Sequence, residues 1–422
     1  MLNELLIFVA MMAVFIGAMM LLKMPTSICM LLSALTGALL AGEGVPLRHL
    51  AEGTFSYLST IIVIATAMIF MRVIQDSGAL DAICSSVVQR FSKKPALLLI
   101  CLMFIVMFPG MITGSSTAAV LSAGSIVAPI LMILGIPPVQ TAVIISLGAI
   151  LGKVAPPVNI AAMVIGAGAD VPYVGFEGPL LLLTVPLAIG IVLALGHKYV
   201  KNFDYASVEN MLDKEVRAKY GIKLYIPVFV LIALILCTKV FKILPDLGMP
   251  VYFLVSAAVG LFTGKKVNPL TCSRDAIADV LPVVGNLIAV GMMIQVMTMT
   301  GIRGMIVSYS LIMPASLRYL AMMIVIPAFG GISSLGAATV FGIPFILAFL
   351  GNDELIVASA LSMFAAVGDI MPPSAISGSF AARITGVKKY GSFLKVAALP
   401  SAAMVVVALL FILFANQLSV LF

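Results

Sequence analysis

Two ionisable residues, Lys153 and Asp369, lie deep inside long apolar runs, and each run is interrupted by a Pro-Pro pair. Lys153 belongs to Gly152-Lys153-Val154-Ala155-Pro156-Pro157 and Asp369 to Gly368-Asp369-Ile370-Met371-Pro372-Pro373. An ionised side chain at a bilayer centre costs roughly 2.5–3.5 kcal/mol on insertion scales, so such residues mark ion or solute pathways by default. A lysine there holds an anionic group or stands where a cation would otherwise bind. An aspartate there binds sodium or carries a proton. The structural alternative is a Lys153–Asp369 salt bridge that ties two parts of the chain together. The readings are compatible, since a working cycle can break and remake the pair.

The two charges belong to a repeated pattern. The first half reads Pro109, Gly114-Ser115-Ser116-Thr117, Pro129, then Pro156-Pro157; the second reads Pro327, Gly331-Ile332-Ser333-Ser334, Pro344, then Pro372-Pro373. Pro109 to Pro327 and Ser115 to Ser333 are both shifts of 218, and Pro156 to Pro372 is a shift of 216. Marks recurring in order at nearly one offset identify an internal repeat. A Gly-Ser-Ser tip turns the backbone sharply while hydroxyls and carbonyls replace lost helix hydrogen bonds. Such backbone is tolerated at membrane depth only where it is buried in protein or lines a wet cavity. A Pro-Pro pair lacks two amide donors and disfavours helix just before it, so the span unwinds there. Unwound carbonyls coordinate cations, and half-helix N-termini attract anions.

The candidate solute site is therefore Ser115, Ser116, Lys153, Asn159, Ser333, Ser334 and Ser374. The candidate coupling-ion site is Gly114, Ser115, Pro156, Ser333, Asp369 and Pro372. Asn159, two residues past Pro157, either contacts the solute or caps the next half-helix. Gln295, Thr298 and Thr300 are expected to bond between helices.

These residues require a frame of membrane helices, and the composition demands one. Hydrophobic residues make up 62% of 422 and charged residues 10%, against roughly 45–50% and about 25% in ordinary globular domains. The expected class is an all-α polytopic membrane protein, since unbroken apolar runs exclude an alternating outer-membrane barrel. The runs fall at about 4–22, 27–42, 56–75, 138–169 and 179–197, then at 223–241, 249–264, 276–298, 353–383 and 393–420. Stretches 95–135 and 317–351, broken midway by small residues, are each two spans or one re-entrant hairpin.

Counted as hairpins, they leave five crossings per half and place the halves upside down relative to each other. Lys23, Arg90, Lys93, Lys94, Lys198, Lys201, Lys265, Lys266, Arg274, Lys388 and Lys389 then share one face. The positive-inside rule makes that face cytoplasmic, with both termini periplasmic. The expected organisation has a first inverted repeat at 1–197: scaffold spans 1–75, an interfacial amphipathic helix 76–94, hairpin 95–135 and broken helix 138–169. A cytoplasmic connector follows at 198–222. The second repeat is 223–422, with hairpin 317–351 and broken helix 353–383. Residues 4–22 read as a first span, because no A-x-A cleavage site follows them.

Other classes are poorly served. The net charge of +7 reads as topology-setting loops, not nucleic-acid binding. Five cysteines without close spacing suggest neither a disulfide framework nor a metal site. His49 lies in a loop and His197 only ends the run 179–197, so no histidine sits deep in an apolar run, which disfavours an intramembrane enzyme. Gly-rich ATP-binding loops are missing, which disfavours a primary pump. No cofactor is expected beyond Na+ or H+ as coupling ion, and no metal beyond Na+.

The run from Gly114-Ser115-Ser116 through Pro156-Pro157 to Gly166–Gly175, with the second Ser-Ser/Pro-Pro unit, resembles the large (DctM-like) membrane subunit of tripartite ATP-independent periplasmic (TRAP) transporters. The layout also resembles the wider ion transporter superfamily. The resemblance implies an elevator mechanism, in which hairpins and broken helices slide against a scaffold of the other spans. It implies sodium-coupled carboxylate uptake, with sodium near the tips and breaks, and a periplasmic binding protein and small membrane subunit as separate chains. The departures are Lys153 and Asp369: a lysine at a cation position replaces one sodium by its own ammonium, which touches sodium coupling itself. The expected function is import of a small organic anion, of the carboxylate or dicarboxylate class, across a bacterial inner membrane. A stand-alone sodium- or proton-coupled symporter or exchanger is the alternative. The expected partners are that anion, the lipid bilayer, those two subunits and, as an open option, a second copy in a homodimer.

Overall fold

The computed structural model describes residues 2–200, 219–349 and 351–422. The segment 201–218, which holds most of the expected connector, lies outside the described residues. Among the described residues the regular structure is helical throughout, and eight helices are long and apolar enough to cross a membrane.

The first half runs α1 (Leu2–Met20), α2 (Thr26–Leu40), α3 (Leu47–Phe55), α4 (Leu58–Asp76) and α5 (Ala79–Phe91). It continues with α6 (Pro95–Thr113), α7 (Ser116–Ile133), α8 (Pro138–Val154), α9 (Ile160–Gly168) and α10 (Glu177–Gly196). The second half runs α11 (Ile226–Ile235), α12 (Met249–Gly260), α13 (Pro269–Met299), α14 (Ile302–Ile312) and α15 (Ala315–Gly330). It ends with α16 (Ser334–Ala348), α17 (Glu354–Val367), α18 (Ile376–Ile384) and α19 (Tyr390–Leu413). Proline opens α6, α8 and α13, where its missing N–H would be unpaired anyway.

The helices pack in two groups. α13 lies against α2, α3 and α4, with α1 on α2 and α12 on α4. In the other group α6 packs on α8, α15 on α17, α17 on α19, and α18 crosses to α8. α5 turns Leu80, Cys84 and Val88 inward and lies against α6, so its apolar face meets protein. Thr298 and Thr300 donate to the carbonyls of Ile294 and Val296 at 2.8 Å. They therefore bond back into their own helix instead of bridging helices.

α8 and α17 are buried along nearly their whole length. At 1.5 Å per residue they reach about 26 and 21 Å, short of the roughly 30 Å hydrocarbon core. Both end in unwound chain inside the molecule. Gly152 and Gly368, 216 residues apart, let them approach the helices before them. A Cβ on Gly152 would lie 2.3 Å from Met107 O, and one on Gly368 2.2 Å from Gly330 C. Any larger residue would push two backbones apart.

Candidate functional site

Each half builds its part of the site in the same way. α6 and α15 carry Pro109 and Pro327 inside the helix, where the ring removes one ladder hydrogen bond. In the first half Gly114 turns the chain in the left-handed region, at φ 64°. Ser115 then caps α7, its hydroxyl accepting from Ala118 N at 3.2 Å, and Ser333 caps α16 from Gly336 N at 3.1 Å. A widened π-turn follows in both, at Val120–Gly124 and Ala338–Gly342, again 218 residues apart. Such insertions cluster at functional sites.

The breaks also correspond. α8 stops at Val154, Ala155 is extended, the Pro156-Pro157 bond is cis, and α9 begins at Ile160. α17 stops at Val367, one tight turn spans Gly368–Ile370, the Pro372-Pro373 bond is cis, and α18 begins at Ile376. The residue after each proline pair donates its N–H to the preceding hairpin: Val158 to Met111 O at 3.1 Å, Ser374 to Gly331 O at 3.0 Å. The unwound backbone is thereby paired where water is scarce, as burial requires.

Four side chains meet where these pieces converge. Lys153 Nζ lies 2.9 Å from Asp369 Oδ2 and donates to Ser334 Oγ at 2.7 Å. Ser116 Oγ donates to Asp369 Oδ2 at 2.6 Å. The Lys153 and Asp369 side chains are only 9% and 7% exposed. The bonding is exchanged between halves: the tip serine of each binds the charged residue of the other. A second exchanged pair flanks the first. Asn159 Nδ2 donates to Ser362 Oγ at 2.8 Å, and Ser146 and Ser377 hydroxyls lie 3.2 Å apart. Ser377 Oγ also donates to Asp369 O at 3.2 Å.

The structure thus brings Ser116, Lys153, Ser334 and Asp369 into one ring, and the ion pair is formed. Asn159 caps α9, its Oδ1 accepting from Ala162 N at 3.0 Å while Nδ2 donates to Val154 O at 2.9 Å. Ser374 gives its hydroxyl to Gly331 O at 2.7 Å. Ser115 and Ser333 are committed as caps, and Gly114, Pro156 and Pro372 shape the backbone. Ser146 and Ser362 escaped notice in the sequence. Their signal was a serine in each half at the same 216 offset that separates Lys153 from Asp369.

Beside the first tip lies a cavity of about 630 Å³, walled by α4, α5, α7 and α13. Its polar lining is Ser115, Thr117, Ser122 and Ser125 of the first hairpin with Arg72, Gln75, Asp81 and Asp279. Arg72 lies 3.2 Å from Asp76 and 3.5 Å from both Asp275 and Asp279. One cation among three carboxylates leaves that cluster at 1 − 3 = −2. The pairs are partly solvated, each of the four side chains being 33–57% exposed. Exchange of partners there is cheap, since pairs of this kind contribute about 0–1 kcal/mol. Arg72 lies inside the run 56–75 and is not singled out by the sequence. Only the fold shows that it shares a cavity with a hairpin tip.

Residues 11–418 match the family model of the tripartite ATP-independent periplasmic transporter, DctM component. No curated protein sequence matches the chain. Among solved structures the chain is similar to the YdaH transporter of Alcanivorax borkumensis. The TM-score is 0.65 at 14% identity, over 92% of this chain and 97% of that one. It is similar also to MtrF of Neisseria gonorrhoeae, described with a class of antimetabolite efflux pumps. There the TM-score is 0.60 at 13% identity, over 88% and 84% of the two chains. At such identities the likeness is one of fold.

Proposed function

The chain belongs to the DctM component family of tripartite ATP-independent periplasmic transporters, and from that premise we propose that it imports a small organic anion as the large permease subunit of such a system. The family is a transporter family whose members work with a substrate-binding protein and a small membrane subunit. The observation that carries the reading is the exchanged ring of Ser116, Asp369, Lys153 and Ser334, set between two hairpin tips and two broken helices. Buried ionisable groups beside helix breaks are features of a transport centre.

The solute binds in the cavity beside the first tip, whose size fits a small molecule. Its carboxylate meets Arg72 and the N-terminal turn of α7, where partial positive charge is concentrated. The surplus of carboxylates around Arg72 favours an anion carrying hydroxyl or ammonium groups over a bare dicarboxylate. Coupling to a cation gradient runs through the buried ring. The second helix group, with both hairpins, moves as an elevator against the first.

A stand-alone sodium- or proton-coupled carboxylate symporter or exchanger is the second reading. It is favoured by the ring's completeness, since all four members come from this chain. Uptake of radiolabelled carboxylates into proteoliposomes separates the two. Uptake only after the binding protein and small subunit are added supports the tripartite system. Uptake by the chain alone supports the second reading, and no uptake with either preparation overturns both.

A further inference from the structure

In transporters built from broken helices, unwound backbone and half-helix ends coordinate the coupling cation. In this chain an ammonium already lies beside a tip hydroxyl and a carboxylate at the breaks. Lys153 Nζ sits 2.7 Å from Ser334 Oγ and 2.9 Å from Asp369 Oδ2. Its backbone is fixed, because neighbouring Gly152 presses on Met107. The ammonium is therefore tethered and does not leave with the solute. We propose that this centre couples solute movement to protons instead of sodium, with Lys153 as a built-in cation and Asp369 as the proton acceptor. The inference rests on the reading of the chain as an anion importer.

The charge count gives the coupling. Empty, the ring carries +1 from Lys153 and −1 from Asp369, a sum of zero. A bound monoanion would bring this buried centre to −1, and an unpaired charge in a low-dielectric interior is heavily penalised. One proton taken from water on the entry side by the Asp369 carboxylate restores zero: +1 from Lys153, none from Asp369, −1 from the solute. On the exit side the proton returns to water as the anion departs, and the Lys153–Asp369 pair closes again. Both crossing forms are neutral, so one proton accompanies each monoanion. Ser116 suits this exchange. Its hydroxyl donates to the carboxylate at 2.6 Å and, by rotating, accepts from the neutral acid.

The other titratable groups on the packed elements are engaged elsewhere. Tyr390 on α19 donates its hydroxyl to Ile370 O at 2.6 Å, and the Tyr173 hydroxyl accepts from Asn159 N at 3.2 Å. Arg318 of α15 bonds the carbonyls of Ala348, Leu311 and Met313. Arg383 of α18 lies over Phe380, and Lys395 of α19 is exposed. Asp353 caps the far end of α17, Glu354 follows it, and Glu177 opens α10. α6, α7 and α16 carry neither carboxylate nor amine.

The test has a part that needs no solute. Thermal unfolding of the purified full chain is compared in sodium chloride and choline chloride at equal ionic strength. The wild type should show no sodium-specific shift, whereas Lys153→Ala, with Asp369 and Ser334 left facing the vacated position, should gain one. A sodium-specific rise in the wild type overturns the proposal. The second part uses liposomes, with binding protein and small subunit where counterflow requires them, and radiolabelled lactate, glycerate and succinate as probes. One unit of inward pH gradient should sustain about tenfold accumulation of a transported monoanion, whether or not sodium is present. Asp369→Asn, which fixes the ring at +1, should keep counterflow and lose accumulation, and it serves where Lys153→Ala fails to fold. Accumulation that requires sodium overturns the proposal while leaving the importer reading intact. Failure of counterflow with every probe counts against that reading instead, and leaves the sodium comparison decisive for this one.

Discussion

The two halves share a backbone plan and differ in the chemistry placed on it. Tips, π-turns, glycine contacts and proline breaks recur at shifts of 218 and 216. Yet the first break carries Lys153 and a capping Asn159, while the second carries Asp369 and Ala375, which sits in the left-handed region at φ 42° without a side-chain cap. The scaffold differs too. α3 and α4 are separate helices around Ser56 and Tyr57, where the second half runs unbroken for 31 residues in α13. The shared features fix backbone geometry and supply the tip hydroxyls, and the divergent ones are the charges those hydroxyls meet. The halves share a frame on which the buried side chains carry opposite charges, and the opposition is what lets the tips exchange partners.

That comparison can be broken experimentally, beginning where the effect is largest. Lys153→Ala leaves Asp369 buried and unpaired, and should cost about 3–5 kcal/mol in unfolding of the detergent-purified chain. Asp369→Ala should cost a similar amount. The double substitution to Met and Leu should recover most of the loss, so a strictly additive cycle would contradict the pairing. Gly152→Val and Gly368→Val should each cost about 1–3 kcal/mol or more by forcing backbones apart. Similar losses would confirm that the two contacts are equivalent, and a loss in one alone would break the equivalence. Asn159→Ala should cost about 1–2 kcal/mol, since it removes a cap and the bond to Ser362. Ala375→Gly should gain up to about 1 kcal/mol by relieving left-handed strain. Melting temperatures with opposite signs at these two equivalent positions would sharpen the contrast.

The breaks and tips could be read from the sequence because proline and Gly-Ser-Ser impose backbone constraints at any burial. Which tip hydroxyl meets the charge could not. Ser115 and Ser116 are adjacent, and only the start of α7 turns one into a cap and the other toward the opposite half. The Asn159–Ser362 bond joins residues 203 apart, a pairing set by how α9 lies on α17. The cavity draws its wall from residues 68 to 283, and no local pattern announces it. Arg72 shows the same limit: Asp76 is its neighbour one helical turn on, but Asp275 and Asp279 reach it only through the packing of α13 on α4.

The most direct test of the exchanged ring is a charge swap. If the halves present equivalent positions, Lys153→Asp combined with Asp369→Lys rebuilds the ring with Ser334 on the new acid and Ser116 on the new ammonium. Thermal unfolding of the swapped chain, beside each single substitution, is the measurement. The account predicts that the single changes, which place two like charges together, yield unfolded or strongly destabilised protein, and that the swap returns the melting temperature close to wild type. A swap no more stable than either single change would contradict it.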